Sequence, residues 1–181
     1  MRIIKDIDPI WHTDEYDVVL VGTNVYAFLT SGFQSKIRYK YPRVMEANDS
    51  VTYGDMHRIG TNLRVEGKPI VCLMYILGYP DTTKNFLSYE GLERCLRLAE
   101  AEFRGMKIMS TIPGSTKFDG NGDKKRILEM MGDIFRNTDI DVYDYIQLSR
   151  TEEIKMISRR LKEEGVEGGK KEILKQLYLD C

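Results

Sequence analysis

Cysteine is scarce and scattered. Cys72, Cys95 and Cys181 are odd in number, widely spaced and without a Cys-x-x-Cys. That argues against a disulfide framework and makes a reducing cytoplasm the expected compartment. Histidine is scarcer still: His12 and His57 stand alone, without the paired spacing of a zinc site, so no metal is expected. No serine sits in Gly-x-Ser-x-Gly, and both the Gly-x-Gly-x-x-Gly fingerprint and the Walker loop are missing. A hydrolase nucleophile elbow and ordinary dinucleotide or nucleoside-triphosphate binding are thereby disfavoured. Asp119-Gly-Asn-Gly-Asp123 begins like a calcium loop, but Lys124 stands where that loop needs glycine and Met130 where it needs glutamate. Neither charge is in excess, with 27 basic against 28 acidic residues and a net charge of −1. Extended nucleic-acid binding is therefore not expected. No apolar run approaches the roughly 20 residues of a membrane span. The opening Met-Arg-Ile-Ile-Lys-Asp also lacks the apolar stretch of a secretory signal.

What is present is a chain of 181 residues, 42% hydrophobic and 30% charged. That suits one domain, or one domain with an appendage. Strand and helix patterns alternate. Arg2–Ile7 reads as a short strand, and Asp17–Val21 is a continuous β-branched run suited to a strand covered on both faces. After Gly32, Phe33–Tyr41 suits a short helix stopped by Pro42. Asn62–Val65 and Ile70–Leu77 flank Glu66-Gly-Lys-Pro69, a hairpin signal. Ser88 opens an amphipathic helix with Leu92, Cys95, Leu96, Ala99 and Phe103 on one face. Met106–Thr111 is a further strand. Asp123 caps a helix with Ile127, Leu128, Met131 and Phe135 inward, and Asp139–Gln147 supplies a last strand. The alternation predicts a three-layer α/β domain. Beyond Arg150 the character changes to two short charged helices joined at Gly165–Gly169, suited to packing on the domain or on a partner.

Two places invite a ligand. The polar loop Pro113–Gly122 carries Gly114, Gly120 and Gly122, which would let main-chain N–H groups converge on phosphate near a helix N-terminus, or simply form a flexible cap. Thr23-Asn24 and Gly32 follow a buried strand, where α/β sheets place ligands. Asn24 there suits either paired sugar hydroxyls or an Asx-turn with no ligand.

These segments together resemble the macrodomain family, which binds ADP-ribose. Lys5-Asp6-Ile7 is similar to the family's opening Gly-Asp-Ile, and Val19-Leu-Val-Gly-Thr-Asn24 to its asparagine-ending strand. Ile37-Arg-Tyr-Lys-Tyr-Pro42 is similar to its helix ending in Arg-Tyr-Pro. Asn62–Val65, Val71–Ile76, Leu87-Ser-Tyr-Glu-Gly-Leu92, Ser110-Thr-Ile-Pro-Gly114 and Phe135–Tyr143 resemble the terminal ADP-ribose glycohydrolase branch, with ADP-ribose 1″-phosphate phosphatases as its relatives. The first loop, Ala27–Gly32, departs by ending in a single glycine, and Gly114–Asp119 carries one inserted residue.

The resemblance implies a three-layer α/β/α macrodomain-like mixed sheet over residues 1–149, with a charged helical C-terminal extension over 150–181. It implies that ADP-ribose or a related small nucleotide is the ligand, with no separate cofactor. An ADP-ribosylated macromolecule would be the larger partner. By the same resemblance Asp6 and Ile7 would take adenine and Asn24 the distal ribose. Gly32, with Gly114, Ser115, Thr116, Lys117 and Phe118, would take the diphosphate. Asp119 would be the catalytic carboxylate and Lys84 the nucleophile, if an ADP-ribosyl linkage or terminal phosphate is hydrolysed. A non-catalytic reader, or an interaction protein that kept the fold without the site, are the alternatives.

Overall fold

Six strands form one mixed sheet. They are β1 (Arg2–Asp6), β2 (Val18–Asn24), β3 (Asn62–Val65), β4 (Ile70–Leu77), β5 (Ile108–Thr111) and β6 (Ile140–Tyr145), in the order β1-β6-β5-β2-β4-β3. Pairing is parallel throughout except for the antiparallel β3–β4 hairpin. This computed structural model describes residues 1–6, 8–29, 32–78, 87–116 and 119–145, with the side chains of Asp6 and Tyr145 excepted. Ile7, Lys84, Lys117, Phe118 and the expected C-terminal extension lie outside the described residues.

Strand alternation divides the core into two layers. Val18, Leu20, Cys72, Met74, Ile108, Ile140 and Val142 face one side. There α3 (Tyr89–Glu102) and α4 (Lys124–Ile134) cover them with Leu92, Cys95, Leu96, Ile127 and Met131. Val19, Val21, Val71, Leu73 and Met109 face the other side. Phe33 and Ile37 of α1 (Gly32–Lys40) and Val44 of α2 (Arg43–Asp49) cover that layer, together with the 3-10 segment Pro9–Glu15. The result is the expected three-layer α/β/α arrangement. Among the described residues no helix is long and apolar enough to cross a membrane.

Both long helices start as the sequence indicates. Ser88 accepts the Gly91 N–H at 3.0 Å and Asp123 the Arg126 N–H at 2.8 Å, filling orphan donors at each N-terminus. The helix expected over Phe33–Tyr41 runs from Gly32 to Lys40. Beyond Pro42 the chain enters α2, for which the sequence offered no reading and whose Val44 and Asn48 are buried. Seven residues carry too few apolar positions to announce that helix in sequence.

One polar network crosses the α1-side layer. Asp141 of β6, almost wholly buried, accepts from Arg2 Nε at 2.8 Å and from the Tyr16 hydroxyl at 2.7 Å. Arg2 holds the Asp141 carboxyl below the usual carboxylate range despite its burial. Burial, with Tyr143 and Asp141 alongside, pushes the Tyr16 phenol well above its ordinary value.

Candidate functional site

The chain after β2 winds one way, through α1 and α2 to β3 and β4. The chain after β5 winds the other way, through α4 to β6. β2 and β5 are neighbours, so their carboxyl ends mark a topological switch point, where open α/β sheets bind ligands. A cleft opens there. Gly22 floors it, Gln34 of α1 forms one wall, and Thr111–Thr116 with Asp119 form the other, beside Tyr143 and Asp144 at the end of β6. The space that admits a water molecule is about 20 Å³, room for about one water.

Asp119 is the hub of the cleft. Its Oδ1 accepts from Gln34 Nε2 at 3.0 Å and its Oδ2 from the Thr116 hydroxyl at 3.0 Å. A carboxylate is thus tied to the opposite wall and to its own loop. The loop itself is folded tightly. Asp119 and Asn121 both donate their N–H to Thr116 O, at 3.0 and 2.9 Å, and Gly122 donates to Gly114 O at 2.8 Å. Its glycines serve packing. A Cβ on Gly120, at φ +112°, would stand 2.7 Å from Leu77 Cδ2, and one on Gly114 would stand 2.7 Å from Leu87 Cδ1. Among the described residues the Gly114 and Thr116 N–H groups have no acceptor.

Asn24 is placed differently. A bulge between Thr23 and Asn24 turns the chain out of β2. The Asn24 Oδ1 accepts from Tyr26 N at 3.0 Å and Phe28 N at 3.2 Å, and its Nδ2 donates to Phe28 O at 2.8 Å. This is the Asx-turn arrangement, and it does not line the cleft. Ala27, at φ +59°, takes the left-handed conformation inside this loop, and Asn48 Nδ2 donates to its carbonyl at 2.9 Å. Gly32, at φ +49°, begins α1.

Of the residues expected to act, Gly114, Ser115, Thr116 and Asp119 converge on the cleft. Asp6 ends β1, two strands away from β5 in the sheet. Gln34 was missed by sequence reasoning. It is 4% exposed, a polar side chain beside the Phe33–Ile37–Tyr41 stripe. That position, one turn into a helix following a buried strand, was the signal available. Among the described residues no cluster of three or more metal-ligating side chains exists.

No family model matches the chain, and no curated protein does. Solved structures are similar to it. The macrodomain of Mycobacterium tuberculosis DarG superposes with a TM-score of 0.60 at 13% identity, covering 78% of this chain and 96% of that one. The fold is that of the macrodomains. A macrodomain protein from Streptomyces coelicolor gives a TM-score of 0.59 at 15% identity, over 80% of this chain and 100% of the other. Thermosipho africanus DarTG, solved in complex with ADP-ribose, gives 0.62 at 12% identity over 84% of this chain. This macrodomain-fold chain spans only 44% of the Thermosipho protein's length.

Proposed function

We propose that the cleft between α1 and the β5–α4 loop binds ADP-ribose or a close derivative. We propose further that Asp119 carries hydrolysis of an ADP-ribosyl linkage there. The observation behind this is the convergence of Gln34, Thr116 and Asp119 at the switch point of a macrodomain fold. The similar Thermosipho protein, whose structure holds ADP-ribose, supports the ligand class. The unaccepted Gly114 and Thr116 N–H groups are suited to the diphosphate, since main-chain donors bind anions without a net positive charge.

In turnover the Asp119 carboxylate would take a proton from the group attacking the anomeric carbon of ribose and pass it to the linked group, whose bond to that carbon breaks as it leaves. Lys84 would be the attacking amine if the route is covalent, and water if it is not. Gln34 and Thr116 hold the carboxylate by donating to both its oxygens, so its direction is set before substrate arrives. The ligand must part the walls, because the space between them holds about one water. That closure favours one second reading, a module that binds weakly and does not turn over.

Isothermal titration with ADP-ribose, NAD and ATP tests the ligand class. Saturable heat with ADP-ribose is expected, and no heat with any of the three at millimolar concentration removes the proposal. Hydrolysis of an ADP-ribosylated protein then separates the readings. Asp119→Ala should abolish turnover with affinity changed only a few-fold, because its role belongs to the transition state. Binding without turnover in the unaltered protein selects the reader.

A further inference from the structure

The large apolar side chains left in water are not scattered. Phe28 and Tyr53 pack on one another beside the loop after β2. Met1 and Ile3, 41% and 48% exposed, lie at the far edge of the sheet, just before and within β1. With Leu128 of α4 they line an open groove of about 490 Å³, and Lys124, Lys125 and Glu129 form its rim. β1 is the terminal strand and pairs with β6 on one side, so its outer edge keeps main-chain groups without a strand partner. The opposite edge strand, β3, is guarded by charge, since its Arg64 reaches both Glu66 and Glu102.

The rim changes sign along the helix. Lys124, Lys125 and Arg126 open α4, and Glu129 follows one turn later. Lys124 is taken by Asp144 at 2.6 Å, and the Arg126 guanidinium lies over the Tyr89 ring at 3.8 Å. Lys125 meets Glu129 loosely at 3.8 Å, and the two side chains stay 87% and 65% exposed. An apolar strip with a cation toward one end and an anion toward the other is complementary to itself when turned end for end. A two-fold axis across α4 sets Lys125 of each copy against Glu129 of the other, with Ile3 and Leu128 enclosed. Pairing in the same direction would set Lys125 against Lys125. We infer that the β1–α4 groove is the interface of a symmetric dimer, occupied by the same groove of a second copy of this chain. Burial of Met1, Ile3 and Leu128 supplies the attraction, and the exchanged ion pairs fix its direction.

Sedimentation equilibrium of the full chain, from about 1 μM to about 1 mM, tests this. A concentration-dependent passage from monomer to dimer is expected, weaker as salt is raised. Lys125→Glu alone and Glu129→Lys alone should each weaken the dimer about tenfold, because each sets like charges together on both sides of the axis. The two changes combined exchange the charges and should restore association to within about threefold. Ile3→Thr keeps the β-branch but removes apolar area from both halves, and should weaken the dimer about fivefold. Thermal melts establish that each variant is folded. A chain that stays monomeric at about 1 mM overturns the inference, whatever else covers the groove. A dimer unmoved by both Lys125→Glu and Ile3→Thr overturns the assignment to this face. A dimer weakened by the single charge changes but not rescued by the double overturns the end-for-end arrangement.

Discussion

Two loops leave the carboxyl ends of adjacent strands, one after β2 and one after β5, and they use their polar groups in opposite ways. The loop after β2 turns its own asparagine inward and is held from outside by α2 and the turn that follows it. Asn24 holds Tyr26 and Phe28 by three hydrogen bonds, Asn48 holds the Ala27 carbonyl, and Gly54 donates to Val25 O at 2.8 Å. Outside lie the rings of Tyr26, Phe28 and Tyr53, with centroids 5.0 to 6.2 Å apart and in mutual contact. The loop after β5 is equally well bonded within, yet its carboxylate reaches across to Gln34 on another element. The difference shows why only one of them makes a cleft. A loop whose asparagine turns back on its own main chain sends no side chain across the strand ends, whereas one whose carboxylate reaches another element frames a space between the two.

The sharpest way to break this comparison is Asn24→Ala. If the asparagine closes its own loop, its loss strands the Tyr26 and Phe28 N–H groups and costs about 2–4 kcal/mol, seen as a fall in Tm. ADP-ribose affinity of the folded protein should then stay within about threefold. A variant with unchanged Tm and much weaker binding would make Asn24 a ligand contact instead, and the two loops would be alike. Next in size is Gly120→Ala in the loop after β5. The methyl group meets Leu77 Cδ2 at 2.7 Å with φ at +112°. A loss of about 2–3 kcal/mol is expected, measured by denaturant unfolding. Undiminished stability in the Gly120→Ala variant would mean that the loop is loosely held.

The smallest effect belongs to a carboxylate remote from both loops and serves as their control. Arg2, followed by Tyr16, keeps Asp141 ionised to lower pH than an unfolded aspartate. A depressed native value contributes stability above the ordinary carboxylate range, and that contribution is lost as pH falls through the native value. Thermal melts between neutral pH and about pH 2.5 should therefore show the unaltered protein losing stability more steeply below about pH 4 than Asp141→Asn. The gap between them, about 1–2 kcal/mol at neutral pH, should close in acid. Parallel curves would show that Asp141 contributes nothing through its charge.

The layers of the fold were legible because they rest on repeated signals. The β-branched run of β2, the stripe Leu92–Cys95–Leu96–Ala99 of α3 and the caps Ser88 and Asp123 each state their own structure. Half of the cleft was legible too, since glycines around an aspartate are conspicuous. The purpose of those glycines was not. Leu87, distant from Gly114 in sequence, is what forbids a side chain there, and that contact exists only after folding. Gln34 was invisible for the same reason. A glutamine on a short helix carries no motif, and its meaning comes from an aspartate 85 positions along the chain. Asn24 stood out in the sequence as well, but an asparagine that binds sugar and one that closes a turn read alike there, and the structure shows the turn.

Where ADP-ribose binds decides most directly between the two loops. Titration of the nitrogen-15-labelled protein with ADP-ribose, followed through its amide resonances, answers that. Saturable shifts are expected at Gln34, at Gly114–Thr116 and at Asp119, with smaller changes at Asn24 and its loop. Shifts that saturate elsewhere, or that centre on Asn24–Phe28 and leave Gln34 and Asp119 unmoved, would contradict the cleft reading.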